Sequence, residues 1–484
     1  MNFKFPIRCF NLLISRYLKT KFERNIFFTK KDTLNKPKPT KRDITLTGMS
    51  QLKWTESATP DQAPNIRVVF LDALRGFALL GIYWINIRVF AEDANTFYNL
   101  HIGIQPFLSD ILSSRFTSDI IEGTMRGLFS LLFGASAMVF LNEARLASQG
   151  LDIVDRYYRR ALLLILFGLL HAYLLLWPYD VLYIYGVISM LLFPIRKISP
   201  PVLLVIGLLL LVIGDIDLSE KIEHLTGAGK EQTQSLKGII ESTNKELMLS
   251  EDTYLQEIDI PEQSITDPVE TSELPGYLTL FQRNISNVVS QQSSELYSDY
   301  IFDVGGMMII GIALFKLGIL FGDRSRKFYL FMMIICYGLG FLARDTSIYS
   351  HIYSFMNLGD SLNKSLAGYN IGRMIVTLGH IGLIGLLINL RIFSVIIRIL
   401  VALGRLALTN YIMQTVISLL IFYGFSEMLF EQFTFIQIIY ILLIAWLFQI
   451  VFSLIWLHYF KLGPMEWVWR SLIYGKLQPI RKPV

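Results

Sequence analysis

The chain is dominated by apolar runs near the length that a helix needs to cross the hydrocarbon of a bilayer, about 20 residues. About ten such runs fall near 70–90, 119–141, 160–177, 181–195, 201–218, 299–321, 328–343, 371–390, 401–424 and 434–458. Lipid offers no partner to an open backbone amide or carbonyl, and no alternating strand pattern suggests a barrel. The expected fold is therefore all-α, a polytopic helical membrane protein with about ten transmembrane helices. Composition points the same way, with 53% hydrophobic and 17% charged residues and a mean hydropathy of +0.47.

Charge placement sets the expected orientation. With the amino terminus inside, the inner loops hold Arg145, Arg156, Arg159, Arg160, Arg196, Lys197, Arg324, Arg326, Lys327, Arg391 and Arg398. The short outer loops hold only Arg115, Arg344 and Lys364, so both termini are expected to be cytoplasmic. The chain divides into a basic tail (1–66), a first group of membrane helices (67–218), a long acidic and polar outer loop (219–298), a second group of helices (299–460) and a cytoplasmic tail (461–484). The loop composition favours short amphipathic helices or partial disorder. Residues 1–48 read as a disordered tail or an over-called start, because Met49 opens a polar lead-in of its own. Cys9 and Cys336 are too few for a disulfide framework or a metal cluster. A net charge of +5 on so long a chain does not suggest nucleic-acid binding.

Strongly polar side chains inside a span cost roughly 3 kcal/mol each, so each is a candidate for function. Asn86, Glu122, Arg126, His171, Asp180, Asp303, Arg373 and His380 all fall in the outer half of their spans or near the centre. Glu122 and Arg126 stand four apart in the order that suits an ion pair on one helix. His171 precedes the turn "LWPYD", and Tyr185, five residues past Asp180 on the returning helix, reaches a similar depth at about 1.5 Å per residue. A histidine with a nearby carboxylate suits general-base work, against the plainer reading of a satisfied core histidine. His101, in the first outer loop, is a second candidate acid or base, against that of an exposed, idle side chain. Arg373 and His380 lie seven apart, two helical turns, and suggest an anionic ligand; the competing reading pairs Arg373 with Asp303. Asp72 and Arg75, at the inner entry of the first span, also read as a helix cap and a snorkelling side chain.

The segments "LDALRGFALLGIYWIN", "LFSLLFGASAMVFL", "RRALLLILFGLLHAYLLLWPYDVLYIYG", "GGMMIIGIALFKLGIL", "GRLALTNYIMQTVISLLIFYG" and "GPMEWVWRSLIYGK" together resemble the YeiB-like bacterial membrane proteins, whose shared region is labelled domain of unknown function 418. The resemblance covers residues 67–482 apart from much of the outer loop, and its closing Gly-Pro-x-Glu-Trp-x-Trp-Arg motif is highly specific. It implies a bacterial inner membrane location and a distant likeness to transmembrane acyltransferases of the acyltransferase-3 and heparan acetyltransferase types. Those relatives share the pattern of Leu71, Asp72, Leu74, Arg75 and Gly76. Acyltransferase-3 proteins carry a catalytic histidine where this chain has Asn86, whereas the heparan type resembles this chain in having asparagine there and a histidine further along. By that analogy Asn86 would orient or polarise a substrate, and His101 or His171 would be the base.

Three classes of function follow. An acyltransferase would carry an acyl group from a cytoplasmic thioester, with acyl-CoA as the donor, to an outer small-molecule or glycan acceptor. Its catalytic set would be His171, Asn86, His101 and Asp180, and its substrate-binding set Asp72, Arg75, Glu122, Arg126, Tyr185, Arg373 and His380, with Arg405 an alternative to Arg373 at the donor's negative charge. A transporter of a small polar or anionic solute would line its path with the same buried charges, although no repeat symmetry is evident. A non-catalytic partner or assembly factor would dock through the long loop and the Trp-rich tail. All three need the lipid bilayer, and the sequence leaves the oligomeric state open.

Overall fold

The computed structural model describes residues 69–91, 116–141, 150–216, 277–353, 369–390, 393–423, 433 and 435–482. The 1–66 tail, His101 and most of the 219–298 loop lie outside the described residues. Each expected apolar run meets a helix. The first membrane group comprises α1 (Val69–Ala91), α2 (Thr124–Phe140), α3 (Leu151–Tyr173), α4 (Val181–Ile195) and α5 (Pro200–Ile216). A π-helical turn, Thr117–Ile121, leads into α2. The end of the region read as loop forms α6 (Tyr277–Gln292), followed by a second π-helical turn, Leu296–Tyr300. The second group comprises α7 (Ile301–Lys316), α8 (Arg326–Tyr353), α9 (Tyr369–Leu390), α10 (Ser394–Arg405), α11 (Ala407–Tyr423), α12 (Phe435–Tyr459) and the short α13 (Pro464–Tyr474). Among the described residues there is no strand beyond the isolated bridge of Phe460 with Arg481.

Six of these helical segments are long and apolar enough to cross a membrane, and α10 with α11 makes a seventh if the bent pair counts as one span. The shorter apolar helices α4 and α5 fall below that length, and α3 opens on Asp152, Asp155, Arg156, Arg159 and Arg160. The run at 401–424, read as one straight span, is instead broken by 82° between Arg405 and Ala407. Leu406 leaves helical geometry there (φ −108°, ψ 33°) without any proline to force it.

Glycines set how closely the helices cross, as is usual where apolar lipid gives no drive for association and close van der Waals approach must supply it. A Cβ on Gly76 of α1 would run into the Leu400 carbonyl of α10, and one on Gly404 of α10 would run into the Asp72 carbonyl of α1. The same reciprocal approach joins α2 and α7, with Gly134 against Met308 and Gly311 against Leu131. The main core lies among α1, α2, α7 and α9, where Leu74, Leu128, Leu131, Met307 and Ile381 are sealed from solvent. Outward, α12 shows Ile436, Leu443, Ile444, Leu447 and Phe448, and α8 shows Phe331, Ile334 and Leu339, an apolar belt that suits lipid.

Candidate functional site

The turn between α3 and α4 brings a histidine, a carboxylate and a hydroxyl together. Leu176 takes a left-handed conformation (φ 52°) that a branched residue rarely adopts. Next to it Trp177 is buried and stacks on Phe90 of α1 at 4.5 Å, which anchors the turn. Asp180 then caps α4, its Oδ2 accepting from the Tyr183 backbone N–H at 2.8 Å. Its other oxygen, Oδ1, lies 2.7 Å from His171 Nδ1, and His171 Nε2 lies 2.8 Å from Thr415 Oγ1 on α11. A carboxylate only accepts, so Nδ1 carries the proton, and in the neutral imidazole Nε2 accepts from the threonine hydroxyl. The three side chains are 1%, 1% and 3% exposed, so the relay is dry and its hydrogen bonds are stronger than they would be in water. Tyr411 packs its ring edge-on to the imidazole at 5.0 Å, and Gly168 leaves room for the start of α4. Above the turn, Asn284 of α6 donates to the Leu176 carbonyl at 3.3 Å.

A second cluster lies where α2, α7 and α9 begin. Asp303 accepts from Arg126 Nη2 at 2.8 Å and, through its other oxygen, from Arg373 Nη2. Arg373 Nη2 also donates to Asn370 Oδ1 at 2.7 Å. The Asn370 and Ile371 amides, in the first turn of α9, donate to Asp215 of α5. Tyr185 belongs beside this cluster, with its hydroxyl 2.7 Å from Ser130 and 3.4 Å from the Arg126 carbonyl, and makes no hydrogen bond to His171.

The expected Glu122–Arg126 pair does not form. That pairing needs a continuous helix, but Glu122 ends the π-helical turn with ψ 125° and Gly123 follows at φ 68°, so the two residues share no helical face. His380 does not join Arg373 either. Its Nε2 donates to the Ile120 carbonyl at 3.0 Å and its Nδ1 accepts from the Tyr337 hydroxyl at 2.7 Å, which occupies both nitrogens. Asn86 is half-buried and makes no hydrogen bond among the described residues. It stands one turn past Ile82, on the stripe whose residues Leu79 and Ile82 pack with Phe167 and Tyr411 beside the relay.

At the opposite end of the bundle Arg75 turns inward instead of snorkelling. It donates to Asp72 at 2.8 Å and to Ser136 of α2 at 2.5 Å. Arg160 of α3 lies within electrostatic reach of Arg75 and Arg470 and is ringed by Phe133, Phe140 and Trp469 at 5.1 to 5.6 Å. Nearby, Glu466 of α13 closes the break between α10 and α11. Its Oε1 accepts from the Leu408 and Thr409 amides at 2.7 and 3.1 Å, and its Oε2 accepts from the Thr409 hydroxyl at 2.5 Å. Burial pushes the Glu466 carboxyl above its ordinary range, while these hydrogen bonds pull it down.

Reading polar residues within spans reached His171, Asp180, Arg126 and Arg373. It passed over Thr415, which looks like any helix threonine, and Asp215, the acid that closes "LLVIGD". Arg160 was counted only among the inner-loop charges that set orientation. Among the described residues no group of three or more His, Cys, Asp or Glu side chains is placed to hold a metal.

Residues 314–476 match the family described as "Protein of unknown function (DUF418)". The chain is 28% identical to the uncharacterised protein YeiB of Escherichia coli (strain K12), over 84% of this chain and 96% of that protein. It is 27% identical to the uncharacterised protein YxaH of Bacillus subtilis (strain 168), over 86% of this chain and 97% of that one. An uncharacterised 39.9 kDa protein from the amylase 3′ region of Bacillus acidopullulyticus is 25% identical over 86% and 96%. No solved structure matches. The matched segment holds Arg373, the broken span, Thr415 and Glu466, and the relatives extend the likeness over most of the bundle, including the lengths of chain that carry His171 and Asp180. Over residues 314–476 the chain matches the DUF418 family, and over most of its length it is similar to YeiB and YxaH.

Proposed function

We propose that the protein is an acyltransferase of a bacterial inner membrane, with cytoplasmic termini, that moves an acyl group from a cytoplasmic thioester such as acyl-CoA to an outer-face hydroxyl or amine. The observation that carries this reading is the buried Asp180–His171–Thr415 chain. Asp180 holds the proton on Nδ1 and so directs the basic Nε2 lone pair toward a hydroxyl; Thr415 stands where an acceptor hydroxyl would be deprotonated. In the reaction the acceptor oxygen attacks the thioester carbonyl carbon as Nε2 takes its proton. The carbon–sulfur bond breaks, and the imidazolium returns the proton to the departing thiolate. Asn86, with its amide uncommitted among the described residues, would donate to the developing oxyanion. At the inner end Arg75 and Arg160 would face the anionic part of the donor.

The test is transfer and slow hydrolysis of a panel of acyl-CoA thioesters by purified protein in nanodiscs. His171→Ala should lower turnover about 10²–10⁴-fold, the usual contribution of a positioned base. Asp180→Asn should lower it as well, because an amide at that position no longer fixes the tautomer. No turnover of any thioester above empty nanodiscs, or equal turnover by His171→Ala, overturns the proposal. A second reading, transport of a small anionic solute, is supported by the Arg126–Asp303–Arg373 cluster inside the bundle. Gradient-driven uptake by proteoliposomes that survives His171→Ala would favour it.

A further inference from the structure

We propose that the arginine cluster where α2, α7 and α9 begin is a binding site for an oxyanion of the phosphate type, supplied by a solute or by a lipid headgroup. Arg373 is fully buried (0% exposed), yet only its Nη2 has acceptors; Nε and Nη1 have none. Arg126 repeats the pattern, with Nη2 on Asp303 and a buried Nε without a partner. A guanidinium has five N–H donors, and leaving buried ones unmade costs about 1–3 kcal/mol per group, more for a charged group. Stability alone gives no reason to hold two such side chains around one carboxylate, because buried ion pairs are commonly no better than apolar packing of equal volume.

The surroundings fit an anion rather than more protein. The second carboxylate nearby, Asp215, accepts from the amides at the start of α9. Arg126 and Arg373 lie over the rings of Tyr300 and Tyr369 at 5.5 and 5.1 Å, cation–π contacts that use none of their N–H donors on an oxygen acceptor. Gly123 sits against Arg373 in a left-handed conformation (φ 68°), and a Cβ there would meet Arg373 Cδ, the Tyr369 hydroxyl and Arg373 Nη1. The glycine at the broken helix thus lets Arg373 and Tyr369 pack directly against its backbone, which holds the guanidinium in place. The Arg126 side chain is 35% exposed, which gives the site an approach. Two arginines with unspent N–H groups suit a group carrying several acceptor oxygens. The inference does not depend on the His171 relay or on acyl transfer.

The experiment is the melting temperature of purified protein against inorganic phosphate, with chloride at matched ionic strength as control. Lipid-free detergent and nanodiscs of phosphatidylcholine, with or without phosphatidylglycerol, form the arms. A saturable upward shift with phosphate in detergent supports a solute site. A shift that appears only when phosphatidylglycerol is added supports a headgroup site. In either case Arg126→Gln, which leaves Arg373 paired with Asp303, should weaken the apparent affinity about tenfold or more, and His171→Ala should leave it unchanged. Arg373→Gln strands Asp303 with one partner and is paired with the charge-neutral double change Arg373→Met and Asp303→Asn, which should fold and lose the shift. Equal shifts with chloride and phosphate, no shift in any arm, or an unaltered affinity in Arg126→Gln would mean that water satisfies these donors, and overturns the proposal. Loss of thioester turnover in His171→Ala bears on the acyltransferase reading alone.

Discussion

Single residues in this bundle hold two structural duties at once. Asp180 caps α4 through one oxygen and orients His171 through the other, so its changes separate only by choice of substituent. Asp180→Asn keeps a capping side chain and should leave thermal stability within about 1 kcal/mol, whereas Asp180→Ala also loses the cap, at about 0.5–2 kcal/mol. Melting curves beside turnover tell the two apart: equal losses of stability would mean that the cap is not set by this side chain. Asp303 is the sharper case, because it pairs with two arginines at once. Asp303→Asn should destabilise by about 3–5 kcal/mol, the usual effect of breaking a buried pair from one side. Adding Arg126→Gln should recover part of that loss, and an additive double variant would show that the charges are not coupled.

Helices here are positioned by small residues and by remote caps, and the two differ in how far sequence reveals them. The apolar runs showed the long helices of the bundle, though not α6 or α13, since length and hydrophobicity are local properties. They did not show the break at Leu406, because the carboxylate that satisfies the amides beyond it belongs to Glu466, about sixty residues on. Likewise His171 and Asp180 are nine apart and could be paired by counting turns, whereas Thr415 reaches them only through the packing of α11. The pair of Glu122 with Arg126 failed for the opposite reason, since helical spacing was assumed through a glycine that interrupts it. Two predictions belong to this scale. Gly76→Ala or Gly404→Ala should each destabilise by about 1–3 kcal/mol through forced separation of α1 and α10, measured by thermal melting; unchanged melting would mean that the crossing relaxes freely. The raised Glu466 carboxyl makes the native state hold its proton more tightly than the unfolded chain. Its contribution is therefore full below about pH 4.5 and declines as pH climbs through the raised value. Glu466→Gln, which mimics the protonated form, should flatten that decline, while Glu466→Ala leaves the two amides unmet at about 1–3 kcal/mol. A melting profile over acidic to neutral pH that is the same in wild type and Glu466→Gln would remove this carboxyl as the cause.

The whole molecule inverts the usual soluble arrangement at the faces of α8 and α12. Their outward residues are apolar, while α11 and α12 bury amides against each other, Asn410 donating to Ser453 at 3.0 Å and Gln449 to the Asn410 carbonyl at the same distance. Polar contacts inside and hydrocarbon outside are the pattern of a helix bundle solvated by lipid. A photoactivated lipid probe should therefore mark Ile444, Leu447 and Phe448, and spare Ile438 and Leu442 on the same helix. Even labelling around α12 would contradict that placement. The capped break also bears on how the chain is made. When α11 leaves the ribosome its cap has not been synthesised, so the Leu408 and Thr409 amides at the break have no Glu466 carboxylate to donate to. A chain cut short before Glu466 should therefore hold this bend less firmly, by about 1–3 kcal/mol for the amides left unmet.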